Sequence, residues 1–183
     1  GTWKFSIGDN PEWAMSEYDD SDWDNINVPE SWESNGYADY NGFAWYRNSF
    51  MVSDLEPEKN YFLLAGYIDD VDEVYLNGEL IGKTGVMPPR VVTAHEIYRK
   101  YWIPEGLLKQ DETNLIAVRV YDEYQRGGIY GGNVGIFFDR EDDMLEVNLS
   151  GMWQFEDYRK SDGDQQIAPK KIFVPGYWED QGY

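Results

Sequence analysis

Cysteine is absent from the 183-residue chain, and histidine occurs once, as His95. Without thiols there is no disulfide framework, no thiolate zinc site and no cysteine nucleophile. One histidine without a Gly-x-Ser-x-Gly elbow leaves a hydrolase triad unsupported. Basic residues are scarce: 15 Lys plus Arg stand against 35 Asp plus Glu, a net charge of −20. A surface that acidic repels phosphate backbones and anionic lipid heads, so nucleic-acid partners are not expected. No run of about 18 apolar residues exists, so membrane insertion by a helix is not expected either. Helical periodicity is missing beyond a turn or two, with Pro104–Leu108 the one short candidate.

Aromatic residues are abundant instead: 15 Tyr, 8 Trp and 8 Phe make up 17% of the chain. With 42% hydrophobic residues, there is too much apolar surface for a disordered chain. Short apolar runs separated by Gly, Pro and Asn fill the sequence. Trp3-Lys4-Phe5, the stretch around Ile26 and Val28, and Ala44 to Phe50 read as strands. Tyr61 to Ile68 is almost wholly apolar, as in a strand covered on both faces. Asn77-Gly78 between Glu73–Leu76 and Leu80-Ile81 marks a hairpin, because both turn positions accept positive φ. Leu115 to Tyr121 alternates, with Ile116, Val118 and Val120 on one face and Ala117, Arg119 and Tyr121 on the other. Val134–Phe138 and Met144–Leu149 complete the series. These signals predict an all-β sandwich.

An internal repeat organises the chain. Gly1-Thr2-Trp3-Lys4-Phe5 recurs as Gly151-Met152-Trp153-Gln154-Phe155. Val28-Pro29 with Trp32 and Gly36-Tyr37 recurs as Val174-Pro175 with Trp178 and Gly182-Tyr183. The period has the size of a whole domain. The expectation is therefore one jelly roll over residues 1–145 and the truncated start of a second over 149–183, from a longer parent protein. The tail carries Trp153, Phe155, Phe173, Tyr177 and Trp178, and is expected to pack on the first domain or to drive self-association. The chain opens inside a strand pattern, as expected for a mature bacterial periplasmic or extracellular protein lacking its signal peptide.

Several motifs together resemble a known family. Trp3-Lys4-Phe5, Asp20-Ser21-Asp22-Trp23, Val28-Pro29, Trp32 and Gly36-Tyr37 are similar to the N-terminal sugar-binding, galactose-binding-like jelly roll of glycoside hydrolase family two. Gly42–Arg47, Ile68–Asp72, Val74–Gly78, Ile81-Gly82 and Ala117–Asp122 extend the likeness over roughly residues 1–140. The same string resembles the β-sandwich domain of sialate O-acetylesterases. The resemblance implies a non-catalytic accessory module in glycan degradation, with a downstream catalytic domain as partner and a glycan as ligand. It also implies that loops of the module reach a sugar bound in the neighbouring barrel. The residue just past one strand, here Asp122, and the loop near Asp39, Tyr40 and Asn41 hold the matching positions. The alternatives are a purely structural scaffold and the sensor domain of a bacterial receptor.

The residues themselves point to a similar place. Tyr40, Tyr124 and Tyr130 lie among loop residues and offer ring faces, and Asp122, Glu123 and Arg126 around Tyr124 can bond sugar hydroxyls. The opposing reading makes Asp122 a structural partner of Arg119 or Arg126. Trp13, Trp23, Trp32, Trp45 and Trp102 can stack on pyranose rings, but Trp23, Trp32 and Trp45 read better as core. Asp69, Asp70, Asp72 and Glu73 suit a structural Ca²⁺ site, or a turn in which one carboxylate pairs Arg119 or Arg47; the turn is preferred, and no cofactor is required. Adjacent acids on a hairpin do not supply the facing carboxylates of a glycosidase. Ser161-Asp162-Gly163-Asp164 lacks the terminal Glu of a calcium loop. Gly127–Gly132 lacks a phosphate-cradling lysine and reads as a loop lying flat beside a ligand or partner domain.

Overall fold

The computed structural model describes residues 1–138, 151–155 and 170–174. The chain divides into two units, Gly1–Asp139 and Arg140–Tyr183.

The first unit is a β-sandwich of antiparallel sheets. One sheet has six strands in the order β2-β1-β3-β8-β5-β6, built from β1 (Thr2–Ile7), β2 (Asp24–Asn27), β3 (Gly42–Met51), β5 (Val71–Leu76), β6 (Glu79–Thr84) and β8 (Thr113–Asp122). The facing sheet has three, in the order β7-β4-β9: β4 (Tyr61–Asp69), β7 (Tyr98–Trp102) and β9 (Gly128–Phe138). One row of the large sheet shows how the core is made. Phe5 pairs with Tyr46, Tyr46 with Val118, Val118 with Val74, and Val74 with Gly82. Alternation turns this whole row toward the three-stranded sheet, where Leu63, Ala65, Ile68 and Ile129 meet it. Gly82 has no side chain because the Tyr101 ring of β7 occupies the space; a Cβ there would lie 2.2 Å from it.

The expected alternation of β8 holds, with Ile116, Val118 and Val120 in the core and Ala117 on the opposite face. The Asn77-Gly78 turn also forms, with φ of 52° and 87°. On the outer face of the large sheet, Trp13, Trp23 and Tyr75 cover Trp45 and Ala117. Arg47 is buried there, bonding Asp20 at 2.6 Å and the carbonyls of Trp13, Met15 and Tyr18. Trp32 and Trp45 are fully buried and Trp23 half-buried, so all three serve packing.

The glycine-rich stretch departs from expectation. From Gly128 onward it is part of β9, and Gly127 lies flat on Trp32 of the same chain, where a Cβ would approach to 1.8 Å. Register shifts around Gly66 let β4 and β9 approach so closely that a Cβ at Gly66 would meet the Gly131 carbonyl at 2.1 Å.

In the second unit, β10 (Gly151–Phe155) pairs antiparallel with β11 (Lys170–Val174). Its pairs Met152–Phe173, Trp153–Ile172, Gln154–Lys171 and Phe155–Lys170 have the register of Thr2–Asn27, Trp3–Ile26, Lys4–Asn25 and Phe5–Asp24. The strand expected at Met144–Leu149, the Ser161–Asp164 loop, Tyr177 and Trp178 lie outside the described residues.

Candidate functional site

One end of the sandwich gathers most of the residues singled out in the sequence. β3 begins at Gly42, which pairs with Asp122 at the end of β8. β4 ends at Asp69, which pairs with Gly128 at the start of β9, and β5 begins at Val71 opposite Tyr121. The loops 37–41, 85–97 and 123–127 and the Asp69–Asp70 junction therefore share this rim. Glu33 joins them, its Oε1 accepting from the Gly127 N–H at 3.0 Å.

The rim presents exposed and buried groups in two layers. Asp39, Asn41, Glu123, Tyr124 and Arg126 are exposed, and Tyr124 shows 65% of its surface. The Arg126 guanidinium sits 5.9 Å from the ring centre of Tyr130, which is itself 6.0 Å from Tyr67 and near parallel to it. The Tyr130 hydroxyl donates to the His95 carbonyl at 2.8 Å. Tyr40 is not the free platform its loop position suggested. It is half-buried against the core, edge-on to Trp32, with its hydroxyl donating to the Phe43 carbonyl at 2.6 Å and accepting from the Gly8 N–H.

Asp122 occupies the lower layer. It continues the inward series of Ile116, Val118 and Val120, which sets a carboxyl on top of the apolar core with no exposed surface. Neither oxygen has a hydrogen-bond partner. The pairing considered with Arg119 or Arg126 does not occur. Arg119 faces the other side of the sheet, bonding Asp9 at 2.6 Å and Glu73 at 2.8 Å, while Arg126 turns to Tyr130. Burial, reinforced by Asp70, Asp69, Glu33 and Glu123, pushes the Asp122 carboxyl up to about 8. It is thus largely uncharged at neutral pH. Two neighbours on the same side, Glu33 Oε2 and Trp32 Nε1, are also buried without a partner.

The acidic run divides by strand alternation. Asp72 faces inward and binds Arg99 at 2.7 Å and the Tyr101 hydroxyl. Glu73 faces outward to Arg119, as the turn reading expected. Asp70 clasps the rim: it accepts from the Thr93 hydroxyl and, at 2.9 Å, from the Glu123 N–H. Burial first, then the charge of Asp70, raises Asp69 to about 6. The ligand-type atoms of Asp69, Asp70 and His95 all lie within 4.8 Å of one another. Sequence reasoning missed His95, Thr93 and Glu33, because each reaches the rim from a loop distant in the chain.

Comparison with known proteins agrees with this architecture. Residues 8–125 match the model of the β-galactosidase second all-beta domain. A putative β-glucuronidase of Formosa agariphila is 30% identical over 159 residues, covering 80% of this chain and 14% of that protein. A β-galactosidase of Bacteroides ovatus is 26% identical over 147 residues, covering 74% and 16%. The crystal structure of a Bacteroides uniformis β-glucuronidase superposes with a TM-score of 0.59 at 26% identity, covering 71% of this chain and 16% of that one. The chain spans about one-seventh of the length of these relatives, and none of the three is a sialate esterase. It belongs to the β-galactosidase second all-beta domain family, a β-sandwich domain of glycoside hydrolase family 2 enzymes.

Proposed function

We propose that the chain is a non-catalytic accessory module of a larger secreted family 2 glycosidase, periplasmic or extracellular, whose rim helps to hold a glycan. The observation that carries this reading is the convergence of loops 37–41 and 123–127 at one end of the sandwich, through the Gly42–Asp122 pair. Tyr124 offers an exposed ring face, and Arg126, Glu123, Asp39 and Asn41 supply donors and acceptors around it. Ring stacking with polar groups at its edge suits the apolar faces and hydroxyl rims of a pyranose. Asp122 lies below these groups and acts on the sugar only if the 123–127 loop opens. Catalysis belongs to the remainder of the parent enzyme, since the matched stretch covers only 14% and 16% of relatives named as a putative β-glucuronidase and a β-galactosidase. The shared register of β10–β11 and β1–β2 supports a second copy of the sandwich beginning near residue 149.

Calorimetric titration with methyl β-glucuronide and methyl β-galactoside tests the reading. One charge-assisted bond and one stacked ring, less the ordering cost, predict millimolar affinity, about −4 kcal/mol. Tyr124→Ala and Arg126→Ala should each weaken binding of at least one sugar without lowering the melting temperature. Binding of both sugars that is indifferent to both substitutions would remove the rim from the account.

A further inference from the structure

We propose that Asp69, Asp70 and His95 hold a divalent transition-metal ion such as Mn²⁺ or Zn²⁺, seated beside the buried carboxyl of Asp122 at the rim of the sandwich. This inference does not depend on glycan binding.

Three observations converge on it. The first is geometric: one ligand-type atom from each of Asp69, Asp70 and His95 lies within 4.8 Å of the other two, a spacing that a single ion can bridge. The elements that bring them together are fixed by backbone bonds. The Asp70 N–H donates to the Tyr121 carbonyl, and the Ala94 N–H donates to the Asp70 carbonyl. The Thr93 hydroxyl contacts both the Asp70 carboxylate and, at 3.1 Å, His95 Nδ1. Side chains beside metal ligands commonly orient them in this way.

The second observation is Asp122. A carboxyl with no exposed surface and no partner on either oxygen is costly unless a charge or a proton compensates it. Asp70 bonds the backbone on either side of Asp122, through the Tyr121 carbonyl and, at 2.9 Å, the Glu123 N–H. The charges of Asp70 and Asp69 act on the Asp122 carboxyl more strongly than any other. Glu33, with one oxygen also unpartnered, and Glu123 add to the field.

The third is that, among the described residues, the arginines beside these acids already have other partners. Arg99 is committed to Asp72 and to the carbonyls of Ala94, Ile97 and Asp70, and Arg126 lies over Tyr130. His95 forms its nearest ion pair, at 3.8 Å, with the exposed Glu96. The imidazole nitrogen beside two carboxylates favours a transition-metal ion over Ca²⁺ or Mg²⁺, which prefer oxygen alone.

The test uses the full chain stripped with chelator, then melted with Mn²⁺, Zn²⁺, Ca²⁺ or Mg²⁺ chloride in turn. The inference predicts a rise of a few degrees with Mn²⁺ or Zn²⁺ well above the dissociation constant, and a smaller rise with Ca²⁺ or Mg²⁺. Asp69→Asn and His95→Ala should each remove most of that rise. Asp122→Asn should raise the midpoint of the stripped protein and weaken ion affinity by roughly tenfold or more, as loss of a neighbouring support does. Mn²⁺ electron paramagnetic resonance on the unsubstituted chain, which needs no variant to fold, should show one bound ion with nitrogen coupling. Equal midpoints with and without every ion would overturn the proposal and leave Asp122 as a neutral buried acid. A rise that persists in both Asp69→Asn and His95→Ala, or bound Mn²⁺ without nitrogen coupling, would overturn the assigned ligands.

Discussion

Arg99 illustrates how single residues hold this fold. Its guanidinium is fully buried, 2.7 Å from Asp72, and bonds the carbonyls of Ala94, Ile97 and Asp70. It thereby ties the long β6–β7 loop to the β4–β5 junction. Removing one partner of a buried pair leaves the other uncompensated, which costs about 3–5 kcal/mol. Arg99→Met should therefore lower unfolding free energy by that order in a urea titration. Replacing Arg99 and Asp72 together by apolar residues should recover part of the loss. A cost below about 1 kcal/mol for the single change would show that the pair is dispensable. Neither partner was singled out as a pair from the sequence. They lie 27 positions apart on strands of different sheets, and alternation says which face a residue occupies, not what it meets across the core.

At the scale of elements, legibility followed periodicity. β8 alternates strictly, and its inward and outward faces are those the pattern predicts. The Asn77-Gly78 hairpin was equally plain, because only a few residues accept its positive φ. β9 was half hidden. Its first residues, Gly128 to Gly132, have little strand propensity, and they join the sheet because bulges and missing side chains allow close approach to Gly66 and Tyr98. Loop chemistry was harder still: the exposed Tyr124 was foreseeable, but Tyr40 is claimed by Trp32 and the Phe43 carbonyl. The two sheets meet at Gly82, where the Tyr101 ring stands in place of a side chain. A methyl group there must push that ring aside, which predicts a loss of about 1–3 kcal/mol for Gly82→Ala. Chemical denaturation checks it. Unchanged stability would mean that the ring shifts freely and that the contact does not set the sheet spacing.

For the whole molecule, the first unit carries a well-packed sandwich core and, at one end, a rim that is rich in functional groups and poorly compensated. The core and the Arg47 and Arg99 anchors are satisfied within the described residues, whereas Asp122, Glu33 and Trp32 retain unpartnered polar atoms at one end. That imbalance lies where the loops 37–41 and 123–127 meet, the rim proposed above to hold a glycan. The family membership was readable from ordered motifs spread along the chain. The rim was readable only in part, because strand ends and loops far apart in sequence meet there. The most direct measurement is nuclear magnetic resonance of the isotopically labelled chain during titration with methyl β-glucuronide and methyl β-galactoside. The account predicts progressive, millimolar-range shifts of the amides of residues 39–41 and 123–127 for at least one sugar, with the outer face of the six-stranded sheet unmoved. Shifts centred on any other surface, or none at saturating sugar, would contradict the claim that this rim faces a glycan.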